Sequence, residues 1–334
     1  VFRVKQSPRL AAILAILLLS ATAAEADLIN GDLVVFHAGS LSVPFAEIAE
    51  AFTKAHPSVR VLREAAGSRT CARKIADLGR PCDVFASADY AVINTLLIPK
   101  HATWCIRFAT NEMVIAYTAK SDRAEAMGRD TWIDILLSPD VAYGRSDPNA
   151  DPCGYRSVLT VALAEKHYAR PGLAERLLGK DWRHIRPKET DLLALLEAGA
   201  IDYVFIYRSV AQQHGLEYLV LPDEINLKEP RLSEDYWRAT VQISGKKPGE
   251  TITAHGEPMV YGVTIPEKAP NPEAALAFVQ FLLSEDGGRA ILERNGQPSA
   301  VPAPSRSFDA IPLPLRKYAT STGEGQAFSE GSQP

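Results

Sequence analysis

The sequence is poor in cysteine, with four in 334 residues. They stand at Cys71, Cys82, Cys105 and Cys153, and no two form a CxxC pair. That excludes a zinc ribbon and a thioredoxin-type redox centre. There is no basic surplus either: 36 Lys and Arg face 40 Asp and Glu, a formal net charge of −4. Without a basic field, no nucleic-acid partner is expected. The seven histidines are scattered without metal-ligand spacing. No HExxH, nucleophile elbow or triad spacing occurs. The chain also has no adjacent tyrosine pair and no repeat period. Beyond the N-terminal segment, no apolar run approaches the roughly 20 residues of a membrane span.

What is present is globular: 46% hydrophobic and 23% charged residues, in a chain long enough for two domains. Residues 1–26 carry Arg3, Lys5 and Arg9, then the apolar run AAILAILLLS, then small-residue cleavage sites at 21–23 and 24–26. This pattern reads as a cleaved secretory signal peptide, which predicts a periplasmic protein. Export would permit a disulfide. A Cys71–Cys82 bridge, the nearest pair in sequence, and no bridge at all both stay open.

Strand and helix patterns alternate. DLVVFHA, VRVLREAA and CDVFASADY read as strands, and the first two run through Gly-Ser into helices. In the first helix Leu41, Phe45, Ile48, Ala49 and Phe52 recur at helical spacing. Such alternation predicts a parallel α/β sheet. Two apolar strands, at 111–118 and 257–265, flank a middle block with strands and helices of its own. The expected architecture is therefore two α/β lobes joined by a two-strand hinge, with a ligand cleft between them. The first lobe is placed at 27–112 with 262–318, the second at 113–261, and a disordered tail at 319–334.

Ser40 and Ser68 end successive strands just before helices, and parallel strands bring such loops together where ligands bind. Each could equally be a plain turn or cap. Asp151 and Glu189 each open a helix in the second lobe, where a carboxylate also serves the helix dipole. Tyr207 closes the strand IDYVFIY. Cys153, at the start of the helix after Asp151, could be a nucleophile with His37 as its base; a buried thiol is the plainer reading.

VFHAGSLSVPF, EAAGS, DVFASADY, FATNEMVIAYT, DPCGYRS, DYVFIYRSVAQQHGL and EPMVYGVTIP, taken together, resemble the archaeal-type molybdate/tungstate-binding proteins, the substrate-binding components of an ABC importer. The resemblance runs from about residue 33 to 303 and implies the periplasmic-binding-protein type II fold. It implies that Ser40, Ser68 and Tyr207 hold the oxygens of a bound tungstate or molybdate. Asp151 and Glu189 would bind its metal centre. Ala150 stands where many members have another Asp, which leaves that role to Asp151. The resemblance further implies no cofactor, no catalytic residue, an ABC permease as partner and a monomer. Sulfate, thiosulfate or phosphate is the alternative ligand class. Ferric iron is another, although such sites typically use an adjacent tyrosine pair.

Overall fold

The computed structural model describes residues 29–180 and 182–322. The expected signal peptide lies outside them, as does most of the expected tail. Among the described residues, no helix is long and apolar enough to cross a membrane.

Two five-stranded sheets organise the chain. The first runs in the order β2 (Val59–Ala66), β1 (Gly31–Ala38), β3 (Val84–Ser87), β12 (Val260–Thr264), β4 (Ile106–Thr110). Strands β1, β2 and β3 are parallel, and β12 enters antiparallel between β3 and β4. The second runs β7 (Ile185–Arg186), β6 (Tyr143–Ser146), β8 (Tyr203–Tyr207), β5 (Met113–Tyr117), β9 (Glu217–Val220). Its β5 is the antiparallel member beside β8. The chain crosses between the sheets twice, from β4 to β5 and again before β12. This is the two-lobed, two-crossing arrangement expected. One boundary shifts: β12 lies wholly in the first sheet, so Tyr261 belongs there rather than with the second lobe.

Two features were not foreseen. Residues Ala319–Ser321, expected to open the tail, form β14 and pair in parallel with β13 (Ala303–Ser305). The second is a hairpin, β10 (Thr240–Ser244) with β11 (Thr251–His255). It reaches across to the first lobe. Arg69, itself buried, donates to the carbonyls of Asn149 (3.2 Å) and Ser244, and Arg73 donates to the Gly245 carbonyl at 2.6 Å. These contacts hold the lobes together in a closed arrangement.

Local chemistry explains the elements that carry the loops. The helix Ser42–Ala55 buries Pro44, Phe45, Ile48, Ala49 and Phe52 on one face, and it stops before Pro57, whose ring disfavours helix at the preceding residue. The helix Pro152–His167 has Asp151 as its N-cap, Pro at its first position, and Lys166 and His167 in its last turn. Each choice suits the backbone groups or dipole at that end. Gly154 follows because nothing larger fits: a Cβ there would stand 2.4 Å from the Asp147 carbonyl carbon. All four cysteines are buried free thiols, so the open question of a bridge resolves to none.

Candidate functional site

Ser40, Ser68, Asp151, Glu189 and Tyr207 are all buried, at 1% exposure or less. Ser40 lies in the turn Gly39–Leu41 that follows β1, and Ser68 is the first residue of the helix after β2. Tyr207 ends β8. Asp151 caps its helix through Oδ1, which accepts from the Cys153 N–H at 3.4 Å. Its Oδ2 accepts from the Glu189 N–H at 3.0 Å, which ties the two acidic residues together. Glu189 does not open a helix, as expected, but sits in the turn two residues before Asp191–Glu197. The leucine pattern that marks this helix begins after the turn.

Short contacts gather the five into one cluster. A Cβ on Gly39 would lie 3.0 and 3.1 Å from Oε1 and Oε2 of Glu189, so this carboxyl presses on the Ser40 turn of the other lobe. The Ser68 helix meets the Asp151 loop, where the Thr70 N–H donates to the Ala150 carbonyl at 3.2 Å. Arg156 joins the remaining pieces. Its Nη1 donates to the Tyr207 hydroxyl (3.1 Å) and to the Ala88 carbonyl (2.8 Å), and Ala88 N–H donates to Ser68 Oγ at 3.0 Å. Arg156 also pairs with Asp89 at 3.2 Å, and Tyr155 donates to the same carboxylate. A cavity of about 420 Å³ opens beyond Arg156 and Asp89, and none of the five cluster residues lines it.

Charge in this cluster is far from ordinary. Both oxygens of Glu189 are buried without a hydrogen-bond partner. An unpaired buried carboxylate is costly. Burial, and next the charge of Asp151, hold the Glu189 pKa well above the usual carboxylate range. Burial raises Asp151 as well, while the backbone N–H groups of Glu189 and Cys153 pull it back. Burial also lifts Tyr207 far above a free phenol, so its hydroxyl keeps its proton. Each of the three hydroxyls accepts a bond from behind, Ser40 from the Tyr261 hydroxyl at 3.0 Å. The cluster can thus donate to oxygens while offering hard carboxylate lone pairs to an electropositive centre.

Sequence reasoning missed Asp89, Asn111, Tyr155, Arg156, Tyr261 and Gln297. All but Gln297 lie inside the quoted stretches, yet their partners are distant in sequence. The one usable signal was Arg156, a charge on the inward face of an otherwise apolar helix. The proposed pairing of Cys153 with His37 does not form. Burial pushes the Cys153 thiol far up, and it donates to the Phe205 carbonyl at 3.6 Å.

His37 donates from Nδ1 to the Ala38 carbonyl at 2.8 Å, and burial lowers its pKa to about 4. A buried neutral histidine binds its proton more readily when unfolded. Its contribution to stability is therefore intact above about pH 6.5 and is lost as pH falls from there towards 4. From pH 7 to 5 this linkage amounts to about 2 kcal/mol. Urea unfolding at the two pH values should show a loss of that size in the parent and a smaller one in His37→Gln. An equal loss in both would assign the effect to other groups.

Comparison with known proteins places this geometry. The family model for bacterial extracellular solute-binding proteins matches residues 33–297. An uncharacterized solute-binding protein of Petrotoga mobilis is 52% identical over 291 residues, covering 87% of this chain and 90% of that one. The molybdate/tungstate-binding protein WtpA of Pyrococcus abyssi is 43% identical over 297 residues, covering 81% and 85%. Among solved structures, the Azotobacter vinelandii periplasmic molybdate-binding protein aligns with a TM-score of 0.59 at 16% identity, covering 79% of this chain and 98% of that one. At that identity the likeness speaks to the fold, the type II periplasmic-binding architecture. With two five-stranded sheets, two crossings and a buried polar cluster between them, the chain belongs to the bacterial extracellular solute-binding proteins.

Proposed function

We propose that this protein is exported, captures tungstate or molybdate between its lobes, and delivers the anion to an ABC permease without chemical change. The observation that carries the reading is Glu189, buried beside Asp151 with both carboxyl oxygens unpartnered. A sulfate or phosphate would tolerate the pair only in protonated form, because two ionised unit charges about 4 Å apart at an effective dielectric near 20 repel by roughly 4 kcal/mol, and neither sulfur nor phosphorus in those anions readily takes further ligands. Molybdenum(VI) and tungsten(VI) are larger and electron-poor, and can expand from four ligands to six. Carboxylate oxygens of Asp151 and Glu189 suit such a centre, while Ser40, Ser68 and Tyr207 donate to the oxo groups. The names of the relatives support the same ligand class. Burial pushes the Cys153 thiol far up, which makes it a poor nucleophile and weighs against the enzyme alternative.

Isothermal calorimetry with tungstate, molybdate and sulfate tests the reading. Tight binding of the first two is expected, at about −12 kcal/mol for a nanomolar site, with sulfate at least 1000-fold weaker. Sulfate binding as tight as tungstate would defeat it.

A further inference from the structure

The three hydroxyls of the site are not held alike. Ser68 accepts from the Ala88 N–H and Tyr207 from the Arg156 guanidinium. Those donors carry no lone pair to accept in return, so the hydroxyl hydrogens of Ser68 and Tyr207 must point elsewhere. Ser40 instead faces another hydroxyl, that of Tyr261, at 3.0 Å. Two hydroxyls in contact can share a hydrogen bond in either direction, so something further must decide which one donates.

Asn111 decides it. This residue is buried on the crossing from β4 to β5. Its Oδ1 accepts from the Glu112 N–H at 3.0 Å and the Ser209 N–H at 3.4 Å, which fixes the amide orientation. Nδ2 therefore carries both hydrogens, and it donates to Ser209 Oγ at 2.7 Å and to the Tyr261 hydroxyl at 2.9 Å. Burial raises the Tyr261 pKa to about 12, so the phenol keeps its proton and donates it in a hydrogen bond to Ser40 Oγ. Gln297 Nε2 holds the Ser40 carbonyl at 3.0 Å, leaving only the hydroxyl free to turn.

We infer that Asn111 and Tyr261 are positioning residues that set the Ser40 hydroxyl as a donor towards the cargo, through the one-way relay Asn111 to Tyr261 to Ser40. Asn111 follows directly on β4, whose Thr110 pairs with Val260 of β12, so the first-sheet ladder itself holds Asn111 beside Tyr261. The inference rests on the oxyanion reading above.

A double-mutant cycle read by calorimetry with molybdate tests it. Tyr261→Phe keeps the ring and removes only the relaying hydroxyl, and thermal melting checks that the fold is kept. Tyr261→Phe is expected to weaken molybdate binding about tenfold in the parent and less than twofold in a Ser40→Ala background. Asn111→Ala should behave likewise in the two backgrounds. A merely structural role would cost the same in both. Equal losses with and without Ser40, or no loss in the parent background, overturn the relay. A parent protein that binds neither molybdate nor tungstate overturns the functional reading itself, which is a separate result.

Discussion

The Glu189→Gln protein is expected to bind tungstate at least about 100-fold more weakly than the parent, about 2.7 kcal/mol, yet to melt at the same temperature or higher. The affinity falls because an amide is a poor ligand for a high-valent metal centre. The fold does not suffer, because the carboxyl it replaces has no hydrogen-bond partner and lies against Asp151. Removing an unsatisfied buried acid relieves a cost instead of breaking a bond. Asp151→Asn should lose affinity on a similar scale. Asparagine caps a helix as well as aspartate does, so the helix Pro152–His167 keeps its start. Calorimetry paired with thermal melting reads both quantities. Two variants that bind tungstate like the parent would take the carboxylates away from the metal centre.

A second large effect needs only one carbon atom. Gly67 has φ −55° and ψ 138°, backbone angles that alanine adopts without strain. A Cβ there would nonetheless stand 2.4 Å from the Ala150 carbonyl oxygen and 3.0 Å from that of Pro187. Both belong to the other lobe, and backbone atoms cannot swing aside as a flexible side chain could. Gly67→Ala should therefore leave each lobe intact but wedge the cleft open. Tungstate affinity should drop about 100-fold, and small-angle scattering should show no compaction when the anion is added. Unchanged affinity together with normal compaction would mean that the lobes close less tightly than described.

The fold was largely legible because its signals are local. Buried runs such as DLVVFHA and DYVFIY, and the helix pattern after Gly39-Ser40, survive as β1, β8 and Ser42–Ala55. The β10–β11 hairpin was not, since the alternation at TVQIS and TITAH is short and mostly polar, although Pro248-Gly249 does mark the turn between them. The five candidate ligands were reachable because strand ends and helix starts announce themselves, and the family resemblance selected among them. The residues behind them were not. Tyr261 touches Ser40 across 221 positions of sequence, and Arg156 touches Ala88 across 68. No periodicity encodes such contacts. Glu189 shows the other limit: a helix pattern locates its neighbourhood, but the turn that aims the side chain is set by Asp151 accepting its N–H.

The place of β12 has a consequence for how the molecule is made. In the first sheet β3 and β4 do not pair with each other; each pairs with β12, which stands between them. An exported chain that emerges N-terminus first leaves this sheet split until residues 260–264 appear, after the whole of the second lobe. The second lobe can thus fold first, and the lobe that contains the N-terminal strands is completed last.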